Sequence, residues 1–153
     1  MRRLGAGFRP GAVMLALGLL LVGLPAACFL TSYGCGEEED RLAEALAGEA
    51  VLDSVPEGAD REDRYRECDD DDRFVVVGTR YRHGDSADGV LRHYEAAASA
   101  AGWRPRAAKG GNTVPGCFTK PVGGTTAYLT VEGPDDGRLH VEIIADRAGS
   151  PWC

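Results

Sequence analysis

Arg73 to Arg82 reads RFVVVGTRYR. Its β-branched and aromatic side chains suit a pleated, packed surface, so the segment predicts a strand. Side chains alternate along a strand. Val75, Val77, Thr79 and Tyr81 therefore point one way, and Phe74 and Val76 the other. Apolar residues on both sides predict a strand inside a sheet, with cover on each face.

Downstream, Asp85 to Gly102 predicts the main helix. Asp85 or Ser86 supplies the cap, and Asp88 complements the first turn. Val90, Leu91, Tyr94, Ala97, Ala98 and Ala101 recur at helical spacing and form one stripe. Gly102 supplies a left-handed end that folds Trp103 back onto Ala98. A glycine-rich loop, Lys109 to Thr113, leads into three more strands: Val114–Lys120, Thr125–Val131 and Leu139–Ala145. Gly123-Gly124 and the segment Gly133 to Gly137 carry the turns between them. Leu139, Val141, Ile143 and Ala145 share one face of the last strand.

Upstream, Glu37 to Gly48 predicts a short helix with Leu42 and Leu46 on one face and acids at its amino end. Pro56 to Asp72 is polar and turn-rich and reads as a surface loop. The expected class is α+β: a four-stranded, mainly antiparallel sheet in the order β-α-β-β-β, one long helix on it, a short membrane-proximal helix, and an N-terminal transmembrane helix. The chain divides into 1–34 (basic tip and anchor or signal), 35–72 (short helix and acidic loop) and 73–153 (sheet domain, one folded unit with 35–72).

The transmembrane expectation rests on Gly11 to Leu30, twenty residues without a charge. As a helix they extend about 30 Å, enough to cross a bilayer core. Arg2, Arg3 and Arg9 precede them and Glu37 to Asp40 follow, which places the amino terminus in the cytoplasm and the domain outside. Two processed forms compete with an uncleaved anchor. One is a signal peptide cut after Ser32-Tyr33-Gly34; the other is a lipoprotein signal with Cys28 as the lipidated residue. The 17 basic residues less Arg2, Arg3 and Arg9 leave 14 against 24 acidic ones, so the outer part carries −10. Such a domain repels phosphate backbones, which argues against nucleic acid as a partner.

Cys35, Cys68, Cys117 and Cys153 all fall outside the membrane, where disulfides persist. Four cysteines allow three pairings. If Phe118 lies under the helix, Cys117 faces the opposite side, and a bond to an upstream cysteine would pin that segment there. Cys68–Cys117 with Cys35–Cys153 is therefore favoured, with the other two pairings open.

Chemistry-bearing motifs are sparse. Asp69 to Asp72 are adjacent and point alternately apart, so they predict a solvated loop and not a calcium site. His83, His93 and His140 are the only histidines, and their spacing fits no zinc motif. The serine-hydrolase, zinc-protease and phosphate-loop signatures are absent. Tyr94 and Trp103 would pack in the core or line a ligand groove. No catalytic, cofactor or metal residue is assigned.

The apolar amino-terminal stretch, Cys68 followed by aspartates, Tyr94 with Gly102-Trp103, and Cys117-Phe118-Thr119-Lys120 together resemble small envelope proteins of high-GC Gram-positive bacteria. The resemblance spans most of residues 40–145 and implies an envelope location but no particular activity. The expected function is a membrane-anchored, non-enzymatic extracytoplasmic domain that binds a protein or wall component. The alternatives are a small enzyme assembled from His83, Asp85 and His140, and a metal-sensing module on the aspartates.

Overall fold

Strand pairing runs well beyond the apolar segments of the sequence. The computed structural model describes residues 34–84, 86–108 and 110–153. In chain order these form helix α1 (Glu37–Ala47), a 3-10 turn (Ala50–Asp53), strands β1 (Asp60–Cys68) and β2 (Val75–Arg82), helix α2 (Ala87–Ala100), and strands β3 (Arg104–Ala107), β4 (Thr113–Val122), β5 (Thr125–Asp135) and β6 (Arg138–Ala145). All six strands join one antiparallel sheet in the order β1-β2-β6-β5-β4-β3. Counting along it, β2 and β3 run in the same direction, and α2 makes the long connection between them.

The expected four-stranded sheet with one long helix is thus corrected to six strands and two helices. Both missing strands are edges. β1, DREDRYREC, carries almost no apolar residue because it meets the sheet on one side only and water on the other. Charge on an edge also discourages pairing with other chains. β3 is four residues long and contains Pro105, which an edge tolerates. The transmembrane stretch Gly11 to Leu30 and Cys28 lie outside the described residues. Among the described residues no helix is long and apolar enough to cross a membrane.

The register puts most of the buried side chains on one face, with Cys117, Tyr128 and Thr130 buried on the other. Val75, Val77 and Tyr81 of β2 lie opposite Ala145, Ile143 and Leu139 of β6; Leu129 of β5 lies beside Ile143, and Phe118 of β4 beside Leu129. Both helices cover that face. α1 contributes Leu42, Ala43 and Leu46, the 3-10 turn Val51 and Leu52, and α2 Val90, Tyr94 and Ala98. The helix ends follow local chemistry. Ser86 Oγ accepts from the Gly89 N–H at 3.3 Å, and the Trp103 N–H donates to the Ala98 carbonyl at 2.9 Å around Gly102, whose φ is +81°. Two hairpins turn on residues with positive φ at both centres, Gly123-Gly124 and Asp136-Gly137, as tight two-residue turns require.

Polar contacts tie the helical layer to the sheet. Lys120 Nζ donates to Glu49 Oε2 at 2.7 Å and to the Ala101 carbonyl at 2.9 Å, and Trp103 Nε1 donates to the same Glu49 oxygen at 3.2 Å. Tyr81 and Tyr94 hydroxyls donate to the Leu52 and Ser54 carbonyls at 3.2 and 2.8 Å. At the edge, Arg64 reaches Asp53 and the Ala47 carbonyl, and Arg66 reaches Asp40. Glu39, 2% exposed, closes a capping box: it accepts from the Gly36 N–H at 2.9 Å and from Arg73 at 2.8 Å.

The disulfides are Cys35–Cys68 and Cys117–Cys153, with Cα separations of 6.3 and 6.0 Å. The favoured pairing, Cys68–Cys117 with Cys35–Cys153, is overturned. Cys117 does face away from the helices, but the segment pinned there is the carboxyl-terminal tail. Cys68 ends an edge strand, on the far side of the sheet from β4 and next to the entry of α1. Trp152 packs on Phe74 at 4.6 Å between ring centroids, so the tail covers one end of the second face.

Two expectations follow. Non-reducing peptide maps should contain the pairs Cys35/Cys68 and Cys117/Cys153, and Cys117→Ser with Cys153→Ser should cost about 2–4 kcal/mol in denaturant unfolding. A map with Cys68 joined to Cys117 would contradict this pairing. The second concerns acid. Burial by itself raises the Glu39 carboxyl, but the Arg73 and Gly36 hydrogen bonds outweigh it and hold the group below its ordinary value. Its stabilisation is then full above the unfolded value of about 4.3 and is lost as pH falls through the lower folded value. The thermal midpoint of Glu39→Gln should drop at pH 7, by about 1–3 kcal/mol in stability, and should fall less steeply below roughly pH 4 than that of the parent.

Candidate functional site: a trough beside helix α2

Residues Asp88, Leu91, Glu95 and Ser99 lie three or four apart, so they share one side of α2. That side adjoins the core stripe of Val90, Tyr94 and Ala98 and forms one wall of a trough. The opposite wall is the first half of β4, from Thr113 to Gly116. This half lies beyond the β4–β5 pairing, which begins at Cys117 and Thr130. A cavity of about 290 Å³ lies between Glu95, Ser99, Pro105, Val114 and Pro115, with Trp103 and Phe118 in its floor. A second, of about 130 Å³, continues past Asp88, Leu91 and Val131, and both touch Pro115 and Gly116.

Gly116 sets the width where the two halves meet. Its φ is +69°, and a Cβ there would stand 2.7 Å from the Val131 carbonyl oxygen and 3.8 Å from Leu91 Cδ1. Only glycine lets β4 approach β5 this closely while leaving the trough open. The floor is fixed as well: Trp103 is 2% and Phe118 3% exposed, and the Trp103 indole is held by Glu49. Tyr94 and Trp103 are both buried, as core packing requires, and Trp103 also borders the trough.

The sheet face away from the helices offers a second polar cluster. Gly78 has no side chain, and the Tyr65 ring occupies the space above it; a Cβ on Gly78 would stand 2.5 Å from the Tyr65 hydroxyl. That hydroxyl donates to Glu142, and the Arg80 guanidinium lies 4.0 Å from the ring centroid. Burial, and then the Glu142 carboxylate, push the Tyr65 hydroxyl far above its ordinary value, so it remains a donor. The cluster satisfies itself internally and adjoins the β1 edge.

The residues singled out from sequence are scattered. His83 follows β2 on the helical side of the sheet, whereas His140 on β6 points to the other side, so the pair does not converge. Asp85, the third member of that constellation, lies outside the described residues. His93 Nε2 meets Ser54 Oγ at 2.8 Å and joins α2 to the 3-10 turn. The aspartates shape the β1–β2 turn. Asp69 Oδ1 accepts from the Asp71 and Asp72 N–H groups at 3.0 and 2.9 Å, and Asp70 accepts from the Cys35 N–H at 3.0 Å. Among the described residues no group of three or more His, Cys, Asp or Glu side chains is placed to hold a metal ion.

No protein-family model, curated protein or solved structure matches this chain. The trough therefore stands on its own geometry. Its α2 wall has a signal in the sequence, a second helical stripe at 88, 91, 95 and 99. Its β4 wall has none, because Thr113 to Gly116 looks like an ordinary strand start.

The space above Gly78 gives a sharp test. Gly78→Ala should cost about 1–3 kcal/mol through overpacking. In a Tyr65→Ala background part of that cost should vanish, the Val141 carbonyl oxygen 3.0 Å from the added Cβ accounting for the remainder, which a double-mutant cycle from urea unfolding measures. Full additivity would show that the tyrosine is not what excludes a side chain at 78.

Proposed function

We propose that the domain is a non-enzymatic binding module that works outside the cytoplasm and engages a protein or wall component through the trough. The observation that carries this reading is the trough itself. It combines an apolar floor fixed by Trp103 and Phe118 with walls from a helix and a strand, which is how preformed binding sites are built. Two disulfides support an oxidising location, and the apolar stretch from Gly11 to Leu30 supplies the export signal or membrane attachment. The divergence of His83 and His140 removes the main support for the enzyme alternative. The engagement of Asp69 and Asp70 in backbone hydrogen bonds gives the aspartate cluster a structural task.

Site-specific photocrosslinking in the intact cell tests the proposal. A photoreactive residue at Ser99 lies in the trough; one at Glu132 lies outside it, on the far face of the sheet. The expected result is a discrete adduct from position 99 and none from 132. An adduct from 132 alone would remove the trough from the function. External protease should also digest the domain once outer barriers are stripped; complete protection would contradict the location.

A further inference from the structure

We infer that the trough takes an extended, cationic stretch of polypeptide with two basic side chains four residues apart. This inference rests on the binding role proposed for the trough and names the chemistry of its partner. The first support is charge. The charged side chains lining the two cavities are Asp88 and Glu95, both acidic and both exposed. Arg104 and Arg106 stand on either side of Pro105 in β3, but strand alternation turns them to the opposite face, where Arg106 lies over the Tyr128 ring. Many acids of the domain are engaged in ion pairs, such as Asp40, Asp53 and Asp63. Among the described residues Asp88 and Glu95 have no ion-pair partner. The trough thus presents two carboxylates without an ion-pair partner above an apolar floor, within a domain whose net charge of −10 attracts cations from a distance.

The second support is dimension. Asp88 and Ser99 are eleven positions apart on α2, so the trough runs about 16 Å along the helix. That length accepts about five residues of extended chain, at about 3.3 Å each. Asp88 and Glu95 are seven positions apart on one wall, or about 10 Å. Side chains on one side of an extended chain recur at every second residue, so a pair four residues apart, about 13 Å, faces that wall and reaches both carboxylates with its flexible stems. The apolar floor of Trp103 and Phe118 lies toward the Glu95 end, so an apolar side chain between the basic ones would sit over it. A neutral glycan lacks this pairing of two cations with an apolar residue.

The full chain in nonionic detergent is titrated against a fluorescein-labelled heptapeptide, Gly-Lys-Val-Leu-Ala-Lys-Gly, and followed by anisotropy. Saturable binding that weakens with salt is expected. Asp88→Asn with Glu95→Gln should weaken it roughly two- to thirty-fold, the range for two exposed ion pairs. Glu37→Gln with Glu38→Gln, which makes the same change in net charge on α1, should have a much smaller effect. Ser99→Trp, which fills the trough and keeps both carboxylates, should abolish binding while the thermal midpoint is kept. Equal binding of the peptide with both lysines replaced by glutamine would overturn the cationic assignment and leave the trough's binding role intact. Binding of chitotetraose alone, abolished by Ser99→Trp, would likewise overturn the cationic assignment and keep the binding role. Peptide binding that is indifferent to Ser99→Trp, or no binding of either probe, would overturn the inference together with the binding role.

Discussion

The apolar face shared by β2, β6, β5 and β4 is the constraint on which the structure depends. Val75, Val77, Leu139, Val141, Ile143, Ala127, Leu129 and Phe118 are all buried on it. A sheet with such a face must be covered, and the chain supplies cover twice, from α1 before the strands and from α2 between them. Both helices are short and narrow in their apolar stripe. Neither can cover the face alone, which explains why the segment from Glu37 to Asp53 belongs to the core.

Charge does at the margins what burial does at the centre. β1 holds its place through main-chain pairing with β2 and through arginines that reach back to Asp40, Asp53 and the Ala47 carbonyl. Exposed pairs of this kind contribute little individually. Cys35–Cys68 adds a covalent link at the same edge, where apolar contact is least. The second disulfide acts on the far face, where it and Trp152 hold the tail over the end of the sheet. Elsewhere on that face, the Tyr65, Arg80 and Glu142 cluster lies toward β1, and Arg106 lies over the Tyr128 ring.

The trough is a by-product of how α2 crosses the sheet. The helix must carry the chain from β2 to the opposite edge, and the first half of β4 extends beyond its pairing with β5. Helix and strand therefore stand apart with no third element between them. Gly116 keeps the gap open, and the Glu49–Lys120–Trp103 contacts keep its floor rigid. The binding role proposed for this place thus uses a feature that the connectivity creates.

The sequence by itself determined the interior. Strand β2, the apolar face of β6, both helices, the caps of α2, the stop of α1 at Gly48 and the two tight turns follow from alternation, helical spacing and glycine placement, all short-range signals. Ser86, Gly102 with Trp103, and Gly123-Gly124 do in the fold what their local chemistry dictates. Only the tertiary structure decided the edges, the disulfides and the site. β1 and β3 are strands because a neighbouring strand offers them hydrogen bonds, and nothing in the side chains of DREDRYREC or RPRA announces that. The pairing of Cys117 with Cys153 depends on which segment reaches the second face, a matter of path length and direction. His83 and His140 part because strand alternation sends them to opposite sides. The trough joins residues about 20 positions apart across a gap between helix and strand, and periodicity within either one carries no information about the space between them.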